Sequence, residues 1–240
     1  MIERHNRRTP LYRHHLEAGA AFAEHGDVCV VAGYGRTDEE ACVAHLALAD
    51  LSTHPRIGVR GPGSVGWLGS LGMRVPPGPN SGVQQEDGTV ALRLSSEDFM
   101  LLSPIVPSSG WQATLSLPRA QARHLSVYML PRAESHGWFA LAGALAHEVL
   151  AKLCSIDLRV LKFVNGAVAQ TSIARVDGVV ARSDLVLTPC FHLLCDSSYT
   201  EYLWSCLLDA MKEFAGARVG VEALARHAGC SYQTLPRKSI

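Results

Sequence analysis

The chain has 240 residues, of which 48% are hydrophobic and 18% charged, a composition typical of a globular protein. Its 22 Lys and Arg residues balance its 22 Asp and Glu residues, which argues against nucleic acid or an anionic membrane surface as the partner. Charged residues follow Met1 where a secretory signal would be apolar, and the longest apolar stretch, 138–153, is too short to span a bilayer. We therefore expect a cytoplasmic protein whose seven scattered cysteines are reduced thiols.

Hydrophobic spacing predicts alternating helices and strands in the first quarter of the chain. The predicted order is a helix over 12–23, a strand over 27–32 and a helix over 38–49 with Thr37 as its N-cap. A short strand over 57–60 then enters a Gly-Pro-Gly turn and a helix that ends near residue 71. Pro62 suits the first turn of that helix, where a missing N–H loses no partner.

A loop rich in proline follows over 73–81. After it, the pattern predicts strands over 89–94 and 99–102, joined by a four-residue turn. A helix from residue 117 or 118 to 124 and a strand over 127–130 complete the first half.

The second half repeats this pattern. Residues 139–144 lead into a helix over 145–153, much as residues 57–61 lead into the earlier helix. Further on, a strand over 191–194 resembles that over 99–102 and precedes a long helix over 198–214. The sequence therefore predicts an α+β fold of two pseudo-repeated β-α-β-β-type units with antiparallel sheets.

This organisation also predicts three segments. Residues 1–48 form an N-terminal helix-strand-helix segment, residues 49–215 the core, and residues 216–240 a C-terminal tail whose end is expected to be loosely held.

Motifs that would carry chemistry by themselves are few. The histidines and cysteines lack the spacing of metal ligands, so no metal site is expected. Gly33-Tyr34-Gly35 fits a turn at the end of a strand better than a phosphate-binding loop. Glu86 and Asp87 lie on a loop rim, where they form either a solvated turn or a functional carboxylate pair.

Several segments together resemble a known family. The first two are Thr9-Pro10-Leu11-Tyr12 before a helix and Ala49-Asp50-Leu51-Ser52. The later ones are Cys154-Ser155-Ile156-Asp157-Leu158, Ala169-Gln170-Thr171 and the strand and helix over 191–204. Residues 9–214 thereby resemble the folate-binding aminomethyltransferase (glycine-cleavage T-protein) superfamily, and the later part is most similar to the gamma subunit of sarcosine oxidase.

The resemblance implies site residues. T-proteins have a catalytic Asp after an Asn-x-x-Gly-Gly run, which implies a catalytic role for Asp87 and folate binding by Asn80 and Asp87. Tyr34 corresponds to their Tyr-Gly loop and is also implied in folate binding. Their Gly-Phe-Glu strand, whose carboxylate holds the pterin, corresponds here to Cys190-Phe191-His192. His192 would contribute to the same site, but an imidazole cannot accept two parallel N–H bonds as a carboxylate does.

The resemblance also implies a function. It favours a small gamma-like subunit of a folate-linked amine oxidase or demethylase complex, with larger flavin- and folate-binding subunits as partners. Flavin is expected only on those partners, tetrahydrofolate is the implied cofactor, and the C-terminal barrel of T-proteins is not expected. The alternatives are a free-standing tetrahydrofolate-dependent aminomethyl or methyl transferase, with Asp87 guiding proton transfer, and a regulatory folate-binding module without turnover.

Overall fold

Two sheets packed face to face form the centre of the molecule, and helices cover their outer faces. The computed structural model describes residues 7–25, 28–106 and 126–230. The helices are α1 (Tyr12–Glu17), α2 (Glu39–His45), α3 (Ser64–Ser70), α4 (Ala146–Leu153), α5 (Thr200–Met211) and α6 (Val221–His227). The strands are β1 (Ala21–His25), β2 (Val28–Gly33), β3 (Ala47–Asp50), β4 (Arg56–Arg60), β5 (Ser81–Gln84), β6 (Val90–Arg93), β7 (Asp98–Leu102), β8 (Tyr128–Pro131), β9 (His136–Ala142), β10 (Val168–Ile173), β11 (Val176–Arg182), β12 (Cys190–Asp196) and β13 (Ala217–Arg218).

The two sheets confirm the predicted antiparallel α+β class. One sheet has five strands in the order β5-β6-β7-β4-β8 and is antiparallel throughout. The other has six strands in the order β10-β11-β12-β9-β3-β13, of which only the β13–β3 pair is parallel. Strands β1 and β2 form a separate hairpin.

Alternation of side chains along the strands divides the apolar interior into three layers. Met100 and Trp138 belong to the layer between the two sheets. The outer face of the six-stranded sheet packs against α4 and α5, with Phe191 in that layer. The outer face of the five-stranded sheet packs against α3 through Trp67 and Leu68.

The topology confirms the internal repeat. The unit β4-α3-β5-β6-β7 recurs as β9-α4-β10-β11-β12, and its strands occupy the same order in their sheets. A glycine with positive φ follows the first strand of each unit: Gly61 at 128° and Gly143 at 121°. A Cβ at Gly61 would lie 2.0 Å from the Ser126 carbonyl oxygen, and one at Gly143 would lie 2.3 Å from that of His45. Each turn therefore requires glycine for two reasons: φ is positive, and a Cβ would clash with a backbone carbonyl oxygen.

Two predicted helices are too long. The helix predicted over 12–23 ends at Glu17, and Ala21–His25 forms β1. The helix predicted over 38–49 is confined to Glu39–His45, with Asp38 and not Thr37 at the N-cap, and Ala47–Asp50 forms β3. The reason is tertiary, because pairing of β1 with β2 and of β3 with β9 overrides the local helical pattern.

The described part of the predicted C-terminal tail, up to residue 230, packs into the fold. Strand β13 pairs with β3, and Val221, Ala223 and Leu224 of α6 are almost completely buried. Small and apolar residues there complete the layer between the sheets. The helix predicted near 117–124 lies outside the described residues. No helix in the described part of the chain is long and apolar enough to cross a membrane.

The basic start of the chain is packed against the fold from Arg7 onward. The Arg7 guanidinium donates to the Glu134 carboxylate and to the Thr53 carbonyl oxygen. His14 pairs with Glu201 at the start of α5, and His15 is buried. These residues anchor the N-terminal segment.

Candidate functional site

A cleft of about 410 Å³ opens where the β5–β6 turn, the end of β7 and the loop after β11 meet. Its lining includes Gln84, Glu86, Asp87, Ser103, Ile105, Asp184, Val186, His192 and Cys230. Two of the predicted site residues, Asp87 and His192, therefore share one cleft although 105 positions separate them. The volume lies within the range of small-molecule sites, about 300–1,000 Å³.

His192 reaches the cleft from the central strand β12 and is 4% exposed. Its Nδ1 accepts a hydrogen bond from the Trp138 indole N–H at 3.0 Å. Burial lowers the pKa of His192 to about 4, so the ring is neutral near pH 7. Because the indole only donates, the proton of the neutral ring is on Nε2. His192 thus offers the cleft a hydrogen-bond donor where a carboxylate would offer acceptors.

Asp87 lies at the rim of the cleft in the β5–β6 turn, and its carboxylate is engaged locally. One oxygen accepts from the Thr89 backbone N–H at 2.8 Å and the other from the Thr89 hydroxyl at 2.9 Å. This is a turn in which Asp87 fixes the start of β6. Glu86 beside it is exposed.

Asp184 is a third cleft carboxylate, which sequence reasoning missed. It accepts two hydrogen bonds at 2.7 Å from the buried guanidinium of Arg182. Arg182 also donates to the carbonyl oxygens of Val160 and Phe163. The Arg-x-Asp spacing at 182–184 was a local signal, but its closeness to Asp87 comes only from the packing of the two sheets.

Tyr34 lies outside the cleft lining, in a buried polar network. Its hydroxyl is 2.7 Å from Nδ1 of His15, whose Nε2 is 2.9 Å from the Asp50 carboxylate. Burial raises the pKa of Asp50, but hydrogen bonds and the His15 charge outweigh it and hold the pKa below its usual range. Burial, followed by the charge of Asp50, raises the pKa of Tyr34. His15 thus links the Tyr34 hydroxyl on one side of its ring to the Asp50 carboxylate on the other, and that carboxylate accepts the hydrogen bond from Nε2.

The same network explains two of the family-like segments. Thr9 donates from its hydroxyl to Asp50 at 2.5 Å, and the other Asp50 oxygen accepts from the Ser52 N–H. The Thr9 and Asp50 segments are therefore held together by one buried carboxylate.

Asn80 lies at the seam where β5 meets β10. Its backbone N–H donates to Arg93, its carbonyl oxygen accepts from Val168, and its side-chain oxygen accepts from Gln170 at 3.1 Å. Its φ of 58° is in the left-handed region, which Asn tolerates better than most residues. Asn80 does not line the cleft and is instead hydrogen-bonded to both units at the seam between them.

None of the seven cysteines, all of which lie in the described part of the chain, forms a disulfide. Across the described ranges, no group of three His, Cys, Asp or Glu side chains lies close enough to hold a metal ion.

Comparison with known proteins gives consistent matches. A family model described as the GCVT N-terminal domain matches residues 11–227. An aminomethyltransferase from Desulfitobacterium hafniense is 26% identical over 170 residues, which cover 65% of this chain and 46% of the relative. The sarcosine oxidase subunit gamma of Corynebacterium sp. strain U-96 is 28% identical over 181 residues, which cover 72% of this chain and 83% of the relative. The chain thus spans about half the length of the aminomethyltransferases it matches.

Solved structures match the fold. A heterotetrameric sarcosine oxidase from Corynebacterium sp. U-96 superposes with a TM-score of 0.61 at 24% identity, over 75% of this chain and 92% of the other. The glycine cleavage system aminomethyltransferase T from Bartonella henselae superposes with a TM-score of 0.72 at 20% identity, over 94% of this chain and 63% of the other.

Proposed function

The chain belongs to the GCVT N-terminal domain family, and from this premise we propose that it is the small gamma-like subunit of a folate-linked amine oxidase or demethylase complex. The observation that carries the proposal is the extent of the match, which covers 83% of a sarcosine oxidase gamma subunit but 46% of an aminomethyltransferase. A role as a subunit assigns the chemistry to larger flavin- and folate-binding partners.

The arrangement of the cleft residues supports this assignment of the chemistry to the partner subunits. The Asp87 carboxylate holds its turn through one hydrogen bond from Thr89 to each oxygen, which leaves one lone pair per oxygen to accept from a ligand. The His192 ring is neutral and buried, and its only proton is on the nitrogen opposite Trp138. His192 is therefore not arranged as a general base, which favours a structural or ligand-holding role for this chain.

The cleft residues are nevertheless compatible with tetrahydrofolate. The volume of about 410 Å³ suits a small-molecule ligand, the Glu86 and Asp87 carboxylates would accept from ring N–H groups, and His192 would donate to a ring acceptor. When bound to the complex, the partner flavin would supply amine oxidation and tetrahydrofolate would supply capture of the one-carbon unit. Asn80 and Tyr34 would act indirectly, through the seam and the buried network.

The second candidate function is a free-standing tetrahydrofolate-dependent aminomethyl or methyl transferase. The observation that favours it is the presence of Asp87 and His192 in one cleft. In that function Asp87 would hold the substrate nitrogen or guide a proton through the lone pairs that Thr89 leaves free.

Two measurements separate these functions. The first is purification of the tagged chain from its own cells, followed by size-exclusion chromatography with detection of flavin absorbance. We expect a gamma-like subunit to elute with larger flavin-bearing chains in fixed stoichiometry and to be poorly soluble alone.

The second measurement is isothermal titration of the isolated chain with tetrahydrofolate. The control for Asp87→Ala is Asp177→Ala, which removes an exposed carboxylate outside the cleft. A monodisperse chain that binds tetrahydrofolate and loses binding only in Asp87→Ala would contradict the subunit proposal and support the transferase.

A further inference from the structure

Two neighbouring loops expose an unusual set of large apolar side chains. Leu161 and Val164 are in the loop between α4 and β10, and Val186 and Leu187 are in the loop between β11 and β12. Their exposed fractions are 91%, 57%, 70% and 92%, respectively. These four residues are called the two-loop patch below.

The two loops are held side by side by buried polar contacts. The Arg182 guanidinium, at the end of β11, donates to the Val160 and Phe163 carbonyl oxygens of the first loop and to Asp184 of the second. The Asn165 side chain accepts from the Asp184 N–H at 3.1 Å. These hydrogen bonds therefore fix the position of the two loops, and of their exposed apolar side chains, relative to each other.

The stability of the monomer does not explain why these apolar residues are present, because a different, buried residue already anchors each loop. Phe163 is buried and stacks on Phe191 with ring centroids 6.3 Å apart. Leu185 is buried in the layer between the sheets. The patch residues beside these anchors contribute little buried area to the monomer.

The turn that carries Val186 is strained. Leu185 and Thr188 exchange two backbone hydrogen bonds at 2.9 Å, so Val186 and Leu187 form a two-residue loop. Val186 has φ of 58°, a conformation that glycine adopts freely and that β-branched residues rarely do. An exposed valine in this conformation is costly for the isolated chain, which indicates a role for its side chain outside the monomer.

Charge around the patch indicates the chemistry of its partner. Arg159 and Lys162 flank Leu161 and are exposed, while Asp157 provides one carboxylate, paired with Arg159 at 2.6 Å. The Leu161 side of the patch therefore carries net positive charge, whereas the Val186 side adjoins the cleft carboxylates Glu86 and Asp87. A complementary surface would have an apolar depression with carboxylates at the edge that meets Arg159 and Lys162.

We propose that the two-loop patch docks this chain onto a larger flavin-bearing subunit, whose surface presents an apolar depression with an acidic rim. The proposal rests on the function proposed above, since it takes its occupant from that complex. Leu161 and Leu187 are the anchors that enter the depression, and Val186, which also lines the cleft, brings the partner to the cleft mouth. Docking buries apolar area that is exposed in the free chain.

The test uses the full chain in its own cells. The double variant Leu161→Ser/Leu187→Ser changes two exposed residues outside the cleft lining, and the matched control Leu16→Ser/Val65→Ser changes residues that are 44% and 39% exposed elsewhere. We expect the patch variant to retain about a tenth or less of the flavin-bearing chain, with an unchanged unfolding midpoint, while the control retains all of it. A photo-crosslinking residue at position 187 is expected to join the same flavin-bearing chain.

The outcomes are distinguishable. If the unaltered chain recovers a flavin-bearing partner and the patch variant recovers as much, the docking proposal is wrong and the subunit function stands. If the unaltered chain recovers no such partner, both proposals fail. Crosslinks from position 187 to a second copy of this chain, with a change from dimer to monomer in the patch variant, would overturn the assigned occupant.

Discussion

The two repeated units share a backbone plan but carry different residues at equivalent inner positions. In the first unit Met100 of β7 pairs with Gly58 of β4, and in the second His192 of β12 pairs with Ala140 of β9. Both side chains are almost completely buried. Met100 fills the apolar layer between the sheets, whereas His192 takes a hydrogen bond from Trp138 and lines the cleft.

A second pair of equivalent positions follows the same logic. Arg56 begins β4 at the position that Trp138 has in β9, since Arg56 pairs with Leu102 and Trp138 with Leu194. The Arg56 guanidinium is buried and donates to four carbonyl oxygens, so it serves the backbone around it. The Trp138 indole instead donates to a side chain in the cleft. The repeated backbone thus provides equivalent buried positions for a polar side chain in both units. The residue type at each position then decides whether that side chain bonds to the backbone or to a residue of the cleft.

The largest expected effect tests the glycine turn that both units share. We expect Gly61→Ala and Gly143→Ala each to lower the free energy of unfolding by about 3 kcal/mol or more, because the new Cβ meets a backbone carbonyl and φ is positive. Urea unfolding followed by circular dichroism measures this. The control Gly66→Ala in α3 meets no atom within 4 Å and should raise stability by about 0.5–1 kcal/mol. A tolerated alanine in one unit alone would show that the turns are not equivalent.

The next effect tests the residue that distinguishes the units. His192→Met gives the second unit the residue of the first and leaves the buried Trp138 N–H without its partner. We expect a loss of about 1–3 kcal/mol in the free energy of unfolding, although the new side chain is apolar. Met100→Leu, a swap of similar volume, should cost less than about 1.5 kcal/mol. Equal losses in the two variants would argue against a special role for the His192–Trp138 bond.

Acid should act through the same histidine. The folded-state pKa of His192 is about 4 and the ordinary value is 6.5, so the unfolded chain binds more protons between these pH values. The contribution of the neutral His192 to the free energy of unfolding is therefore fully present above pH 6.5 and is lost as the pH falls toward 4. Within this range the loss approaches about 1.4 kcal/mol per pH unit. The pKa of His136 is also lowered to about 4, mainly by burial, and adds a loss of the same sign. The free energy of unfolding, measured with urea at several pH values in this range, should fall less steeply with decreasing pH in His192→Met than in the unaltered chain. An unchanged dependence on pH would contradict the assignment.

The smallest effect concerns the seam between the units. Asn80→Gly keeps a residue that accepts φ of 58° but removes the side-chain bond to Gln170, so we expect a loss of about 0.5–1 kcal/mol. Asn80→Ala adds backbone strain and should lose more. A large loss of ligand binding in Asn80→Gly with unchanged stability would restore the ligand role that the resemblance implied.

Local signals were sufficient for the elements that a short stretch specifies. The Gly61 turn, the equivalent Gly143 turn and the hairpin of β6 and β7 are each encoded within a few residues. The ends of α1 and α2 were not predictable in this way, because Ala21–His25 and Ala47–Asp50 become strands only when distant strands pair with them. The burial of α6 depends likewise on a sheet built from residues far earlier in the chain.

The candidate site likewise has features that the sequence predicts and features that depend on the tertiary structure. The sequence by itself determined the α+β class and the duplication, because periodicity and turn chemistry are local properties, while the family resemblance implied Asp87 and His192 as site residues. Only the tertiary structure decided that these two residues share a cleft, that Asp184 joins them, and that Tyr34 and Asn80 lie elsewhere. The physical reason is that the cleft forms where loops from both units meet, and the packing of two sheets is not written in any one segment.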